Sequence, residues 1–241
     1  MTDANIGHSR PRETSLGEPP RAAYSGAVDQ EREAAREQAT AFLRDLDGLD
    51  VSNAPEPVQL AAGLLAGCVS DTEALVRQME AHRASAGRHL RPILEGAVKA
   101  LYLLRDGDLA SRRLAKASWT GLERWRSAVG EETVPPEDLE RVAAREPDLY
   151  SLCCSAESWL ERRALAVSFV DLYAVVARRS NLLYQHPGFG SANSHIIRSD
   201  SGICVTTESD PRWHATDRDA YLMADVLCDV ALAVQAAIEG R

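Results

Sequence analysis

"RHLRPILEGAVKALYLLRDGD", Arg88 to Asp108, decides the fold. At the roughly 100° that separates successive residues of an α-helix, Leu90, Leu94, Ala97, Leu101 and Leu104 fall within one narrow apolar sector. Arg91, Glu95 and Tyr102 lie together at the edge of that sector. A helix patterned in this way needs other helices to cover it, and the flanking segments carry the same period. On the N-terminal side the spacing predicts a helix from Val28 to Leu46, with Ala35, Ala39, Phe42 and Leu46 as its buried stripe and Gly48 as its stop. A second helix follows over "PEPVQLAAGLLAGCVSDTEALVRQMEAHR", where proline is tolerated in the first turn and Leu60, Leu64, Leu75 and Met79 supply the apolar contacts. Ser85 or Gly87 interrupts it.

On the C-terminal side, Leu109 to Val129 reads as helical and carries Trp119 and Trp125. The acidic "GEETVPPEDLE" is a loop bent by two prolines and leads to a short helix. A long helical region is expected from Ser158 to His186, with a break near Ala166, and a final helix from Thr216 to Glu239. Thr216, with Asp219 three residues on, has the spacing of a capping box. One stretch alternates like a strand pair: "SHIIRSDSGICVTTES", around Asp200-Ser201-Gly202, predicts a small β-hairpin at about 194–208. No alternation of strands and helices that would build a parallel sheet is present. The expected fold is therefore all-α: a bundle of about six to seven helices with a small hairpin before the last. The expected organisation is a disordered N-terminal tail, 1–27, and a single helical domain, 28–241.

Composition agrees with a globular chain. Of 241 residues, 45% are hydrophobic and 26% charged, a balance that supports a core and argues against disorder. The net charge of -9 opposes a broad phosphate-gripping surface, which works by massed Lys and Arg. Any nucleic-acid contact has to be local. A local basic region does occur, since His82 to Arg126 holds ten Lys or Arg against four acids, whereas Val28 to Ala81 holds eleven acids against four arginines. A solvated face laced with ion pairs is the plainer account of both. Cys68, Cys153, Cys154, Cys204 and Cys228 form an odd set without C-x-x-C spacing and read as free thiols of a reducing compartment. The polar N-terminus lacks an apolar leader core, and no apolar run approaches the about 20 residues that cross a bilayer. The expectation is a cytoplasmic protein with no membrane partner.

The stretch richest in chemistry is "RRSNLLYQHPG", Arg178 to Gly188. On a wheel drawn from Phe169, Asp171, Arg178, Asn181 and Gln185 face one way and Phe169, Leu172, Tyr173, Val176 and Leu183 the other. Arg179 and His186, seven residues apart, differ by only about 20° in direction and about 10 Å along the axis. They share their face with Val175 and Leu182, so the pair is set in apolar surroundings, which implies partial burial or an interface. Two readings stand side by side. In one, Arg179 lays its stem along an apolar edge and His186 offsets exposed carbonyls at the helix end. In the other, the two act as a catalytic pair.

Arg179, six residues, then His186 at the end of a late helix resembles the Arg-x(4 to 6)-His motif of the HEPN superfamily of small helical bundles, many of which are metal-independent ribonucleases. Across about Gly87 to Arg241 the chain also resembles a bacterial all-helical domain-of-unknown-function family in which an R-P-x-x-E helix precedes a Y...S...H helix and an irregular loop. Arg91-Pro92-Ile93-Leu94-Glu95 matches the first element, and Tyr173, Ser180 and His186 match the second. The HEPN resemblance implies a ribonuclease of toxin or phage-defence type in which His186 moves the proton and Arg179 steadies the phosphate. It further implies an RNA substrate, a homodimer that assembles the site, an antitoxin or other protein partner, and no cofactor or metal. Arg91, Glu95, Ser180 and Tyr184 are the candidates for orienting or binding the substrate. Arg91 and Glu95 are more plainly an i,i+4 ion pair, and because Arg-then-Glu is the weaker order, Glu95 is expected to reach His186 or Arg179 across the bundle. Ser180 is more plainly a core serine bonded to a carbonyl. The histidines never show metal-ligand spacing, and the tryptophans read as core or interface anchors. The rival expectation is a non-catalytic module that binds a protein or small ligand in a cleft edged by Arg91, Glu95, Tyr184 and His186.

Overall fold

The computed structural model describes residues 21–81, 86–131, 139, 142, 146–160, 167–177, 196–199, 202–205 and 215–240. Within them lie α1 (Arg21–Arg44), α2 (Glu56–Ala81), α3 (Leu90–Ala128), α4 (Leu149–Ala156), α5 (Phe169–Leu172) and α6 (Asp217–Ile238). The class is all-α. α3 is the axis: α2 packs along it, α6 lies across α1, α2 and α3, and α4 covers its flank.

α1 starts at Arg21, seven residues before the expected start at Val28, so a helix occupies part of the stretch expected to be a disordered tail. Ala22, Ala23 and Ala27 carry the highest helix propensity and offset the cost of Gly26. Residues 1–20 lie outside the described residues. Ala35 and Ala39 are buried and Phe42 and Leu46 pack partly on the core, while Gly48 turns the chain with φ +77°.

α2 buries Val58, Ala61, Leu65, Cys68, Leu75 and Met79. Leu60 is 42% exposed, contrary to its expected place in the stripe, because it points about 100° away from Ala61. A 3-10 turn at Gly87–His89 feeds α3, and Pro92 falls in the first turn, where its missing N–H removes no helical bond.

α3 is apolar far beyond the five expected residues. Leu90, Ile93, Leu94, Ala97, Val98, Ala100, Leu101, Tyr102 and Leu103 are all buried, so its first half is enclosed on all but the strip of Arg91, Pro92, Glu95 and Lys99. Tyr102, expected at an edge with Arg91 and Glu95, is buried because Trp159 stacks on it at 6.2 Å and Arg113 donates to its hydroxyl at 2.8 Å. The segment from Leu109 continues the same helix across a kink at Gly107, whose φ of 54° and ψ of -128° only glycine adopts readily.

Helicity does not run from Ser158 as expected. α4 is capped by Asp148, which accepts from the Ser151 N–H at 2.8 Å, passes into a 3-10 turn at Glu157–Trp159, and ends on the extended Leu160. α5 restarts under a new cap, the Ser168 hydroxyl accepting from the Asp171 N–H at 3.0 Å. Glu157 ties the two together by accepting from the Phe169 N–H at 2.9 Å. α5 then opens into a π turn, Tyr173–Ala177. Strands β1 (Ile196–Ser199) and β2 (Gly202–Val205) pair antiparallel from Ile196↔Val205 to Ser199↔Gly202, and the two residues between them lie outside the described residues.

α6 carries the expected capping box: the Asp219 N–H donates to Thr216 Oγ1 at 3.2 Å and the Thr216 N–H donates back to the Asp219 carboxylate at 2.8 Å. By length and composition α6 could cross a bilayer, with a mean hydropathy of 1.7 over its most apolar window, against the expectation that no run approaches that length. In this fold half of that window is buried in the protein. Asp225 on α6 makes a two-toothed ion pair with Arg36 on α1, Nε and Nη2 each 2.9 Å from a carboxylate oxygen.

α2 and α3 approach closely at Gly96. A Cβ placed there would stand 2.5 Å from the Cys68 sulfur, which itself lies 3.5 Å from the Ile93 carbonyl oxygen. Gly96→Ala, ordinarily favourable in a helix by about 1 kcal/mol, is expected here to destabilise by about 1–3 kcal/mol. Urea unfolding of Gly96→Ala and of Gly96→Ala/Cys68→Ala checks this, the second change recovering much of the loss.

Candidate functional site

The R-P-x-x-E segment forms the first turns of α3, and the fold turns it into an ion network. Arg91 Nε lies 3.5 Å from Glu95 Oε2, a long contact that matches the weak Arg-then-Glu order. The stronger partner of Glu95 is Lys99, one turn further, with Nζ 2.9 Å from Oε1. Lys99 also reaches Glu146, just ahead of α4, at 3.0 Å. Burial favours the uncharged form of Glu95, but the hydrogen bond and charge of Lys99, helped by Arg91, outweigh it and hold the carboxyl below its ordinary range. Burial likewise works against the charge of Lys99, and its two carboxylate partners outweigh it and hold the ammonium above its ordinary range. Lys99 and Glu146 escaped the sequence reading. Glu95-x3-Lys99 carries the favoured i,i+4 order and was the available signal, whereas Glu146 is brought in by the fold alone.

Arg179, Ser180, Tyr184 and His186 all lie outside the described residues, as do His82, His195, His214 and Trp213. The structure describes the approach to them. Phe169, Leu172 and Val176 are buried, Asp171 is exposed, and Tyr173 tilts on Tyr150 at 5.3 Å between ring centres. Val175, counted on the face of Arg179 and His186, is 52% exposed. The π turn immediately before Arg178 inserts an extra residue into the helical spacing, so directions counted from Phe169 do not pass through it unchanged.

Much of the basic region is occupied. Besides Lys99, Arg113 is committed to the Tyr102 hydroxyl and Lys116 donates to the Val142 carbonyl. His89 faces Asp71, Nδ1 to Oδ1 at 3.0 Å. Among the described residues no group of three or more His, Cys, Asp or Glu could hold a metal ion. Cys68, Cys153 and Cys228 are buried thiols, pushed by burial up to about 12, 12 and 11, and Cys154 is exposed.

A groove of about 570 Å³ opens between α1, α3, α6 and the turn after α4, with Gln38, Leu104, Arg105, Trp159, Leu160 and Ala236 among its walls. It draws on four separated parts of the chain, so no local pattern announces it. In comparisons with protein-family models, curated proteins and solved structures, the chain matches none.

Two outcomes follow. Glu95, with a lowered pKa, contributes stability that is present above its ordinary 4.5 and lost as pH falls through its lower folded value. Lys99, with a raised pKa, contributes stability that is present below its ordinary 10.5 and lost as pH rises through its higher folded value. Lys99→Met is expected to cost up to about 1 kcal/mol near pH 7, after solvent screening, and less as pH falls through the lowered folded value of Glu95; urea unfolding of both proteins from neutral to acidic pH checks it. In native protein at neutral pH, a thiol reagent followed by peptide mass mapping is expected to label Cys154 well before Cys68, Cys153 and Cys228.

Proposed function

We propose that this chain is a HEPN-like, metal-independent ribonuclease of toxin or defence type acting in the cytoplasm, with Arg179 and His186 as its cleaving pair. The observation that carries this reading is the Arg179-x6-His186 spacing late in an all-helical chain. Two features are in keeping with it: the pair follows closely in sequence on a π turn, a device found often at functional sites, and Val175 within that turn exposes apolar surface where an interface would need it. His186 as base takes the ribose 2′-hydroxyl proton, the 2′-oxygen attacks phosphorus, and the 5′-oxygen leaves with a proton returned by an acid. Arg179 offsets the charge that builds on the phosphate oxygens. A dimer brings two such pairs together, and an antitoxin would restrain them. In this reading Arg91, Tyr184 and Ser180 contact the RNA, while Glu95 acts on the basic side chains around it.

A second reading has one specific observation in its favour. The groove and the net charge of -9 suit a non-catalytic helical module for a small ligand or protein better than a phosphate-binding surface.

The test is incubation of total RNA and defined tRNAs with purified protein in EDTA, beside His186→Ala and Arg179→Ala. Cleavage is expected in EDTA and is expected to fall by about 10²-fold or more in each variant at unchanged circular dichroism. Well-folded protein that leaves RNA intact, or variants that cut as well as the parent, would transfer the assignment to the binding module.

A further inference from the structure

The groove between α1, α3 and α6 is independent of the ribonuclease reading and has a chemical character of its own. Its floor is smooth, because α6 presents Ala233, Ala236 and Ala237 there. Leu101, Leu104 and Leu160 supply an apolar wall, and Trp159 closes one side. The Trp159 ring is fixed from behind, since Tyr102 stacks on it at an interplanar angle of 27° and is itself held by Arg113. A half-buried indole with one face supported and its remaining surface on a groove is a stacking platform for a flat apolar group.

Among the described residues, Gln38 and Arg105 bring the hydrophilic side chains to the groove, and they differ. Gln38 already donates its amide N–H to Gln235 at 3.0 Å, and Gln235 in turn donates to the Glu239 carboxylate at 2.9 Å, so that edge is a committed hydrogen-bond chain ending in an anion. Arg105 makes no ion pair among the described residues, and neither Asp106 nor Asp108, which follow it in α3, lines the groove. An uncommitted guanidinium at the mouth of an apolar slot complements a carboxylate, which it can grip through two parallel N–H bonds. The volume of about 570 Å³ lies within the roughly 300–1,000 Å³ of small-molecule sites.

We infer that this groove binds an aromatic carboxylate, its ring lying on the alanine floor against Trp159 and its carboxylate paired with Arg105. The charge at one end and the flat apolar surface along the rest select that class over a neutral apolar molecule, which would leave Arg105 unused, and over a polyanion, which one guanidinium does not satisfy.

Titration calorimetry of the full chain with naphthalene-2-carboxylate and with the corresponding carboxamide tests this. Saturable one-to-one binding of the acid is expected, about tenfold tighter than the amide. Arg105→Gln is expected to weaken the acid about tenfold and to bring acid and amide to similar affinity. Ala236→Trp fills the floor and is expected to remove binding of both with the circular dichroism spectrum unchanged; if that variant fails to fold, Ala237→Leu, a smaller filling, takes its place. No saturation at several millimolar acid, equal affinity of acid and amide for the parent protein, or acid binding indifferent to Arg105→Gln would each overturn the assignment. RNA cleavage by the same preparation reports separately on the ribonuclease reading, so the two stand or fall apart.

Discussion

The first half of α3 meets water along one narrow strip, that of Arg91, Pro92, Glu95 and Lys99. Leu90, Ile93, Leu94, Val98, Leu101 and Leu103 cover most of the remaining circumference and are each buried. Removing a leucine-sized side chain from water contributes about 1.5–3 kcal/mol, so leaving one side uncovered would forfeit several such terms. Everything else follows from enclosing this rod. α2 lies so close that a glycine has to stand at 96, α6 closes the opposite side with Met223, Val226, Val230 and Val234, and α4 with its 3-10 turn shields the flank that Tyr102 occupies. The enclosure stops at Gly107, where the helix bends. Past the bend Leu109, Leu122 and Trp125 stand exposed, so one continuous helix is core at one end and surface at the other.

Charge is arranged around this rod with an economy that an acidic chain requires. Among the described residues, carboxylates tie distant elements together through Arg36, which pairs with Asp225, through Lys99, which pairs with Glu146 as well as Glu95, and through the His89 ring, which faces Asp71. Arg105 lies outside these ties and lines the groove. In the basic stretch from His82 to Arg126, Arg91, Lys99 and Arg126 face carboxylates, while Arg113 and Lys116 are bonded to the Tyr102 hydroxyl and the Val142 carbonyl.

Helix identity was legible from periodicity, because the 3.6-residue repeat survives even where only half the stripe is read correctly. The second helix was found although Leu60 was misassigned to its buried face, and the final helix was found with its capping box because Thr216 and Asp219 signal locally. What was not legible depends on packing. Nothing within α3 says that Tyr102 is covered by Trp159, since the two are brought together only by the path of α4. The end of helicity at Leu160 and the π turn at Tyr173 are likewise departures from ideal spacing that a wheel assumes away. At the site, Arg91 and Glu95 were correctly paired but incompletely, because Lys99 was readable as i,i+4 and Glu146 was not.

The clasp between α1 and α6 joins residues 189 positions apart. During synthesis, at about 5–20 residues per second, α1 emerges from the ribosome roughly ten seconds or more before its partner helix exists. Throughout that interval the surface around Ala35 and Ala39 faces water, and the groove side of α3 has no alanine floor. The chain is thus dependent on its last described helix for completion, and a nascent fragment lacking it would present the kind of open apolar surface that chaperones recognise.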